Sequence, residues 1–197
     1  MDDYIVYNLH DKNVIFFRRI KAKWGGLSNT AEGYPLFINN ILVRSSEALY
    51  QAMKFPQFPD IQLQVISQTN PMHSKMIARK NKDLVREDWD LIKIEVMRWV
   101  LLVKLMFNYE TFGSLLRETG NKQIVEFSRK DTFWGAVLID KENMIAKGKN
   151  VLGRLLMEIR DEKLDKKFSV IPSPNINNFN FLGKEIQSVS YMEQKLF

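Results

Sequence analysis

Three side chains capable of chemistry lie on one face of a predicted helix. Glu47, Gln51 and Lys54 lie at offsets of four and seven within the segment SSEALYQAMKF, residues 45–55. On an α-helix these offsets bring all three side chains to the same face. A core-facing stripe is usually apolar, so this one indicates a functional surface. Alternatively, Glu47 is only a favourable first-turn residue, where the helix macrodipole stabilises a negative charge.

A second acid lies in the loop RKDTFWGA, residues 129–136. Asp131 stands between basic residues and the pair Trp134–Gly135, and a Trp beside a Gly in a loop forms a flat wall for a stacked ring. Alternatively, Asp131 belongs to a turn and Trp134 anchors the loop to the core. Trp89, at the start of the longest predicted helix, is open to the same two interpretations.

A third candidate is the segment GKNVLGRLLM, residues 148–157, where Gly148, Lys149 and Asn150 lead into a helix. The first N–H groups of a helix have no intrahelical partner and bind anions, and Lys149 or Arg154 would add positive charge. Many helices begin this way and bind nothing. The P-loop, the dinucleotide fingerprint, the G-x-S-x-G elbow and the H-E-x-x-H motif are absent from the sequence.

Composition limits the class of protein. The 197 residues predict one domain, or one domain with a tail. The sequence has no cysteine and two histidines, which excludes disulfides, thiolate metal sites and a cysteine nucleophile and disfavours a histidine zinc site. We therefore expect neither a metal nor a cofactor. Because the sequence has neither a signal peptide nor a long apolar run, we expect a cytoplasmic protein without a membrane partner.

Positive charge is concentrated in two segments. The chain carries a net charge of +6, and basic residues cluster in RRIKAK (18–23) and in SKMIARKNKDLVR (74–86). Such clusters suit phosphate-bearing ligands or nucleic acid. The alternative is a solvated, lysine-rich surface without a ligand.

The first half of the chain predicts a short strand, a hairpin and several helices. VIFFR (14–18) is typical of a strand, and Asn39–Asn40 suits the tight turn of a hairpin over 36–43. Ser45 or Ser46 is expected to cap a helix that runs to about Phe55. Two short helices interrupted at Asn70–Pro71 should follow between residues 61 and 86. The longest helix should begin at Asp88, where apolar residues recur every three to four positions.

The second half predicts a short helix over 111–121, with Gly120 just beyond its end. Residues 123–128 are either a strand or a continuation of that helix, and residues 136–140 are predicted to form a strand. Asn150 should cap the last helix. Beyond Asp165 no helical period persists, so residues 165–197 are interpreted as a tail that packs partly on a body formed by residues 1–164.

Five segments occur in an order that resembles the NADAR, or YbiA-like, family. They are LSN (27–29), SEALYQAMKF (46–55), DWDLIKIEVM (88–97), LLRETGNKQIVEFSRKDTFWG (115–135) and GKNVLGRLLMEIR (148–160). The resemblance covers about Ile15 to Leu164. This chain departs from the family pattern at Ala48, where a histidine is usual, and at Asn121, where an aspartate is common.

The resemblance implies a compact α+β fold, mostly helical with a small antiparallel sheet, that hydrolyses N-glycosidic bonds. Two substrate classes are attached to the family: ADP-ribose linked to guanine in nucleic acid, and the ribosylamino-pyrimidine phosphates of riboflavin synthesis. Members acting on the first often serve as antitoxins to an ADP-ribosyltransferase, so the resemblance implies a cognate ADP-ribosyltransferase encoded nearby as a partner. The alternatives are a module that binds ADP-ribose or NAD without cleavage, and a protein that binds nucleic acid through its basic surface alone.

The family's functional positions correspond here to Glu47, Trp89, Asp131 and Trp134, together with Asn29 and Lys54. A carboxylate stabilises the positive charge that builds on a sugar during C–N cleavage, and a second one can activate water or bind ribose hydroxyls. We expect Glu47 and Asp131 to fill these roles around one sugar carbon. Lys54 is expected to pair with a phosphate or with Glu47, or to attack an opened ribose as an amine. The two tryptophans would sandwich a base, the 148–154 helix start and the 18–23 cluster would hold phosphates, and the Glu47 stripe would face a water-filled cleft.

Overall fold

The computed structural model describes residues 3–192 and divides the chain into two units. One unit is formed by Met1–Ser28 and Glu110–Lys166, and the other by Asn29–Tyr109 and Lys167–Phe197. The last change of unit falls after Lys166, and the tail over residues 165–197 stays a prediction. The segment after Lys166 groups with the middle of the chain, and residues 193–197 of the predicted tail lie outside the described residues.

Helices and strands are both present, so the α+β class is confirmed. In chain order, the helices are α1 Ser46–Ala52, α2 Pro59–Ile66, α3 Pro71–Lys80, α4 Trp89–Phe107, α5 Ser114–Glu118 and α6 Val151–Lys163. The strands are β1 Ile5–Asn8, β2 Val14–Phe17, β3 Leu36–Ile38, β4 Ile41–Val43, β5 Gln123–Glu126, β6 Val137–Asp140, β7 Ile145–Gly148, β8 Val170–Pro172, β9 Asn180–Phe181, β10 Lys184–Glu185 and β11 Ser188–Ser190.

The unit that contains both β1 and α6 is built on two small sheets. Strands β1, β7 and β6 form an antiparallel sheet in that order, and β2 pairs with β5 in parallel. Residues 123–126 are thus a strand, which resolves the alternative left open by the sequence. The predicted small antiparallel sheet is present as β1–β7–β6, and the parallel β2–β5 pair is an addition that the sequence did not predict. Helix α6 packs on β5, which places the start of α6 beside this parallel pair.

The unit that contains α1 to α4 is mainly helical. The β3–β4 hairpin turns through Asn39 and Asn40 at φ 50° and 64°, a region that Asn tolerates well. Helix α1 packs against α2, α3 and α4. The predicted start of the longest helix is confirmed, because α4 begins at Trp89 with Asp88 as its N-cap residue.

Local capping explains where α1 and α3 begin. The hydroxyl of Ser45 accepts a hydrogen bond from the Ala48 N–H at 3.2 Å, and the Asn70 side chain accepts one from Met72 at 2.9 Å. Both caps satisfy an N–H group that would otherwise lack a partner. Helix α1 ends at Ala52, earlier than the predicted Phe55.

The segment after Lys167 packs on helices of its own unit. The Gln62 side chain on α2 donates to the Asn180 carbonyl and accepts from the Leu182 N–H. The Arg86 guanidinium donates to the Asn177 carbonyl, and Phe179 makes an edge-to-face contact with Trp99 on α4.

None of the helices between residues 3 and 192 is long and apolar enough to cross a membrane.

Candidate active site

Glu47 is held in the first turn of α1 by three residues, one at its backbone and two at its carboxylate. The backbone N–H of Glu47 donates to the Asn29 carbonyl at 3.0 Å. Gln51 Nε2 donates to Glu47 Oε1 at 2.8 Å, and Lys75 Nζ on α3 lies 3.7 Å from the same oxygen. Glu47 is 6% exposed and Gln51 3%, so these side chains are shielded from bulk solvent. That the stripe faces a water-filled cleft stays a prediction.

Lys54 lies just beyond the end of α1, against two aromatic rings. Its Nζ is 5.6 Å from the centroid of Tyr50 and 5.4 Å from the centroid of Trp89, and these two rings are 5.0 Å apart. Burial lowers the pKa of Lys54 to about 8, although the neighbouring Glu47 charge raises it. The amine is therefore much more readily deprotonated than that of an ordinary lysine.

Three further cations act electrostatically on Lys54. After burial, the charges of Lys75, Arg79 and Lys93 contribute to the lowered pKa of Lys54. Lys93 Nζ on α4 also pairs with Asp90 Oδ1 at 2.6 Å. In the sequence, Lys75 and Arg79 stand out only as part of a basic segment, and Lys93 was not predicted as a site residue. The available signal was spacing, because Lys75 and Arg79 are four residues apart on a helix and face the same side.

Asn29 and Trp89 hold the same site from neighbouring segments. Beyond its carbonyl bond to Glu47, Asn29 donates from Nδ2 to Met97 Sδ on α4 at 3.0 Å and is 5% exposed. Trp89 is 9% exposed, which makes it a largely buried ring beneath Lys54. Asn29 thus positions Glu47, and Trp89 shapes the surroundings of Lys54.

Asp131, in the other unit, stabilises a turn. Its Oδ1 accepts hydrogen bonds from the N–H groups of Phe133 and Trp134, both at 2.9 Å. The rings of Phe133 and Trp134 meet edge to face at 5.1 Å, and Trp134 remains partly exposed. The turn interpretation of Asp131 is confirmed, and it leaves a further chemical role of the carboxylate open.

The N–H groups at the start of α6 already have partners. Four of them donate to carbonyls of the 132–135 loop: Lys149 to Thr132, Asn150 to Gly135, Val151 to Phe133 and Leu152 to Trp134. The expectation of unpaired N–H groups was therefore wrong for these four. An anion-binding role of this helix start would depend on the side chains of Lys149 and Arg154.

Gly148 and Asn150 have structural roles at this helix start. A Cβ on Gly148 would lie 2.1 Å from the Gly135 carbonyl oxygen, so only glycine fits there. Asn150 is fully buried at φ 49°, and its side chain bonds the Ile124 carbonyl and the Glu126 N–H of β5. It occupies the N-cap position as predicted, yet its side chain holds β5 and makes no capping hydrogen bond.

The two basic side chains of this region have different surroundings. Lys149 Nζ lies 5.8 Å from the ring centroids of both Tyr4 and Phe133. Within residues 3–192, no hydrogen-bond partner reaches the buried Nη1 of Arg154. Substrate contact by Gly148, Lys149, Asn150 or Arg154 stays a prediction.

Comparison with known proteins decides the family. The model of the NADAR domain matches residues 15–163. The chain belongs to the NADAR domain family. The predicted resemblance over about Ile15 to Leu164 is thereby confirmed.

Relatives of this NADAR chain carry two kinds of name. A riboflavin biosynthesis protein of Vibrio vulnificus (strain YJ016) is 36% identical over 152 residues, which cover 75% of this chain and 38% of that protein. The N-glycosidase YbiA of Escherichia coli (strain K12) is 28% identical over 157 residues, covering 80% of this chain and 92% of YbiA. The NMR structure of E. coli YbiA matches with a TM-score of 0.64 at 29% identity, over 76% of this chain and 83% of YbiA.

Within this NADAR chain, the predicted site residues fall into two groups. Glu47, Lys54, Trp89 and Asn29 belong to one unit, where the contacts above bring them together. The other group belongs to the second unit and consists of Asp131, Trp134, Gly148, Lys149, Asn150 and Arg154. The partnership of Glu47 with Asp131 stays a prediction.

Among residues 3–192, no group of three or more His, Asp or Glu side chains could hold a metal ion.

Proposed function

We propose that this NADAR chain is an N-glycosidase that cleaves the C–N bond between a phosphorylated ribose and a base. The observation that carries the proposal is the shielded Glu47 carboxylate, held by Gln51 and Lys75 and close enough to Lys54 to affect its pKa. A carboxylate fixed in this way suits charge stabilisation better than a role in folding alone. The curated N-glycosidase relatives support the same reaction class.

Glu47 acts on the charge that develops during cleavage. As the C–N bond breaks, positive charge builds on the sugar C1 and the ring oxygen. A preorganised carboxylate lowers the energy of this state most when water is largely excluded. The 6% exposure of Glu47 and its bond to Gln51 provide both conditions.

Lys54 acts as the nucleophilic amine in this proposal. The neutral amine bonds to C1 while the C–N bond to the base breaks, and the base leaves with the proton lost by the amine. The ribosyl–lysine adduct opens to an imine, and water hydrolyses the imine to the free sugar and regenerates Lys54. A pKa of about 8 leaves roughly a tenth of the amine neutral at pH 7, far more than for an ordinary lysine.

The preferred substrate in this proposal is ADP-ribose attached to guanine in nucleic acid. The net charge of +6 and the basic segments at 18–23 and 74–86 support it, because a nucleic-acid substrate rewards positive charge beyond the reacting sugar. The second candidate is a ribosylamino-pyrimidine phosphate, which the name of the Vibrio relative favours.

The physiological context proposed for the first substrate is that of an antitoxin. A cognate ADP-ribosyltransferase encoded nearby would supply the modified guanine, and this chain would remove the modification in the cytoplasm. Co-expression tests this: the chain should rescue cells from such a transferase, and a Glu47→Gln variant should not.

The proposed function is tested first by Glu47→Gln, which keeps the shape of the side chain and removes its charge. We expect kcat/KM to fall by about 100- to 10,000-fold, with little change in substrate affinity. Glu95→Gln is the matched control, since Glu95 is an exposed glutamate on α4. Full cleavage activity of Glu47→Gln would remove Glu47 from the mechanism, whereas saturable ligand binding without turnover by the wild type would identify a binding module.

A second experiment separates the two substrates. The protein is incubated with DNA carrying ADP-ribosyl-guanine and, separately, with the ribosylamino-pyrimidine phosphate. Release of ADP-ribose from the DNA alone supports the preferred substrate. Release of ribose phosphate from the pyrimidine alone would assign the second.

A further inference from the structure

The cations on α3 are arranged as a row that begins beside Glu47. Lys75 Nζ lies 3.7 Å from Glu47 Oε1. Arg79 follows four residues later, one helical turn or about 6 Å further along the same side of α3. A ligand whose reacting carbon lies at Glu47 would therefore meet positive charge one turn away.

Lys93 adds a third cation from α4. It lies four residues after Trp89, on the same side of α4 as the ring that contacts Lys54. Asp90 holds its amine at 2.6 Å. The charges of Lys75, Arg79 and Lys93 all reach Lys54, since each contributes to lowering the pKa of that amine.

The local charge balance is positive. Around Lys54, the cations Lys75, Arg79 and Lys93 join the lysine itself, against the carboxylates of Glu47 and Asp90. Like charges gathered around a buried amine oppose its protonation and raise the energy of the unliganded protein. A bound anion would relieve this repulsion, so the cluster is suited to a ligand with negative charge.

We infer that Lys75, Arg79 and Lys93 form the subsite that takes the 5′-phosphate of the ribose being cleaved. This inference rests on the proposed function and names the group by which the enzyme would recognise its substrate. Both candidate substrates carry this phosphate on the same ribose, so the subsite serves either one. It replaces the start of α6, where the N–H groups of residues 149–152 already have partners, as the place for that phosphate.

Arg79→Gln tests the inference against the neighbouring Lys80→Gln. Both variants remove one exposed positive charge from α3, and Lys80 points away from Arg79 by about 100° around the helix axis. The rate is measured with each phosphorylated substrate and with its 5′-dephosphorylated counterpart. Binding of ribose 5-phosphate and of ribose is measured by calorimetry without any turnover.

Arg79→Gln should lower kcat/KM about 10- to 100-fold for phosphorylated substrates and less than about twofold for dephosphorylated ones. It should weaken ribose 5-phosphate binding by a similar factor, and Lys80→Gln should leave unchanged both this binding and the ratio of the rates on the phosphorylated and dephosphorylated substrates. An equal loss on both substrate forms, or no loss, would overturn the inference.

The calorimetry separates failure of the subsite from failure of the proposed function. If the wild type binds ribose 5-phosphate through Arg79 and cleaves neither substrate, the glycosidase proposal fails and the subsite stands. If it cleaves a substrate and Arg79→Gln leaves phosphate selectivity unchanged, the subsite fails alone. A wild type that does not bind ribose 5-phosphate also overturns the subsite.

Discussion

Lys54 is the residue whose chemistry depends most on its surroundings. The segment SEALYQAMKF predicted that it shares a face with Glu47, and the structure adds the Tyr50 and Trp89 rings and the cations on α3 and α4. Burial is the largest cause of its lowered pKa. Burial depends on residues far apart in the sequence, so the sequence alone left the amine role as one of several alternatives.

The proposed amine role gives Lys54 a distinct pH dependence. Because the neutral form reacts, kcat should rise as pH increases through about 8 and level off above it. Reduction with cyanoborohydride during turnover should attach the sugar to Lys54, and Lys54→Arg should abolish the adduct while keeping the positive charge. If activity instead falls as pH rises through 8 and no adduct forms, the lysine acts as a cation.

Asp131 can be tested because its structural and chemical roles depend on different atoms. Asp131→Asn keeps a side-chain oxygen that can accept the N–H groups of Phe133 and Trp134, and removes the charge. We expect an unchanged melting temperature and a fall in kcat/KM of about 100-fold. Asp131→Ala should also destabilise the protein by about 1–2 kcal/mol. Full activity of Asp131→Asn would leave this residue with its role in the turn alone.

At the scale of elements, sequence patterns predicted where a helix begins better than they predicted what the groups at its start bind. Ser45 and Asn70 mark the starts of α1 and α3, because capping depends on residues adjacent in the chain. Asp88 takes the N-cap position of α4 without a side-chain capping hydrogen bond. The start of α6 was predicted equally well. The prediction that its N–H groups lack partners was wrong for residues 149–152. Their partners lie in the 132–135 loop, and a contact between distant segments leaves no mark in local composition.

The buried side chain of Asn150 ties α6 to β5, and its loss should therefore affect stability. Asn150→Ala would leave the Glu126 N–H and the Ile124 carbonyl without this partner. It would also place alanine at φ 49°, a conformation that asparagine adopts more readily than alanine. We expect the free energy of unfolding to fall by about 2–4 kcal/mol, measured by urea denaturation. Intact stability with weakened substrate binding would instead assign Asn150 to the substrate.

At the scale of the whole molecule, the order of five motifs was enough to identify the family, and the α+β class followed from it. The grouping of segments could not be predicted in the same way. The chain leaves one unit at Ser28 and returns to it at Glu110, and the parallel pairing of β2 with β5 joins strands about a hundred residues apart. Local periodicity assigns a strand but does not choose its partner.

The pH dependence of stability is set by buried groups in several elements. Lys104 on α4 is 1% exposed, and burial lowers its pKa to about 7. The unfolded chain therefore binds more protons than the folded one between pH 7 and 10.5, so stability rises with pH in this window. Lys54 contributes in the same direction from about pH 8. Burial raises the pKa of Tyr7 and Tyr34 above 10, which reverses the trend at higher pH.

We therefore expect the free energy of unfolding to increase from pH 7 to pH 10, with each lysine contributing about 1.4 kcal/mol per pH unit where its difference in protonation is complete. Lys104→Met should roughly halve this slope between pH 8 and 10, because Lys54 still contributes. Lys80→Met, at an exposed position on α3, should leave the slope unchanged. Urea titrations across this range measure both slopes. A slope unaffected by Lys104→Met would show that Lys104 stays protonated in the folded protein, which requires an anionic partner strong enough to offset its burial.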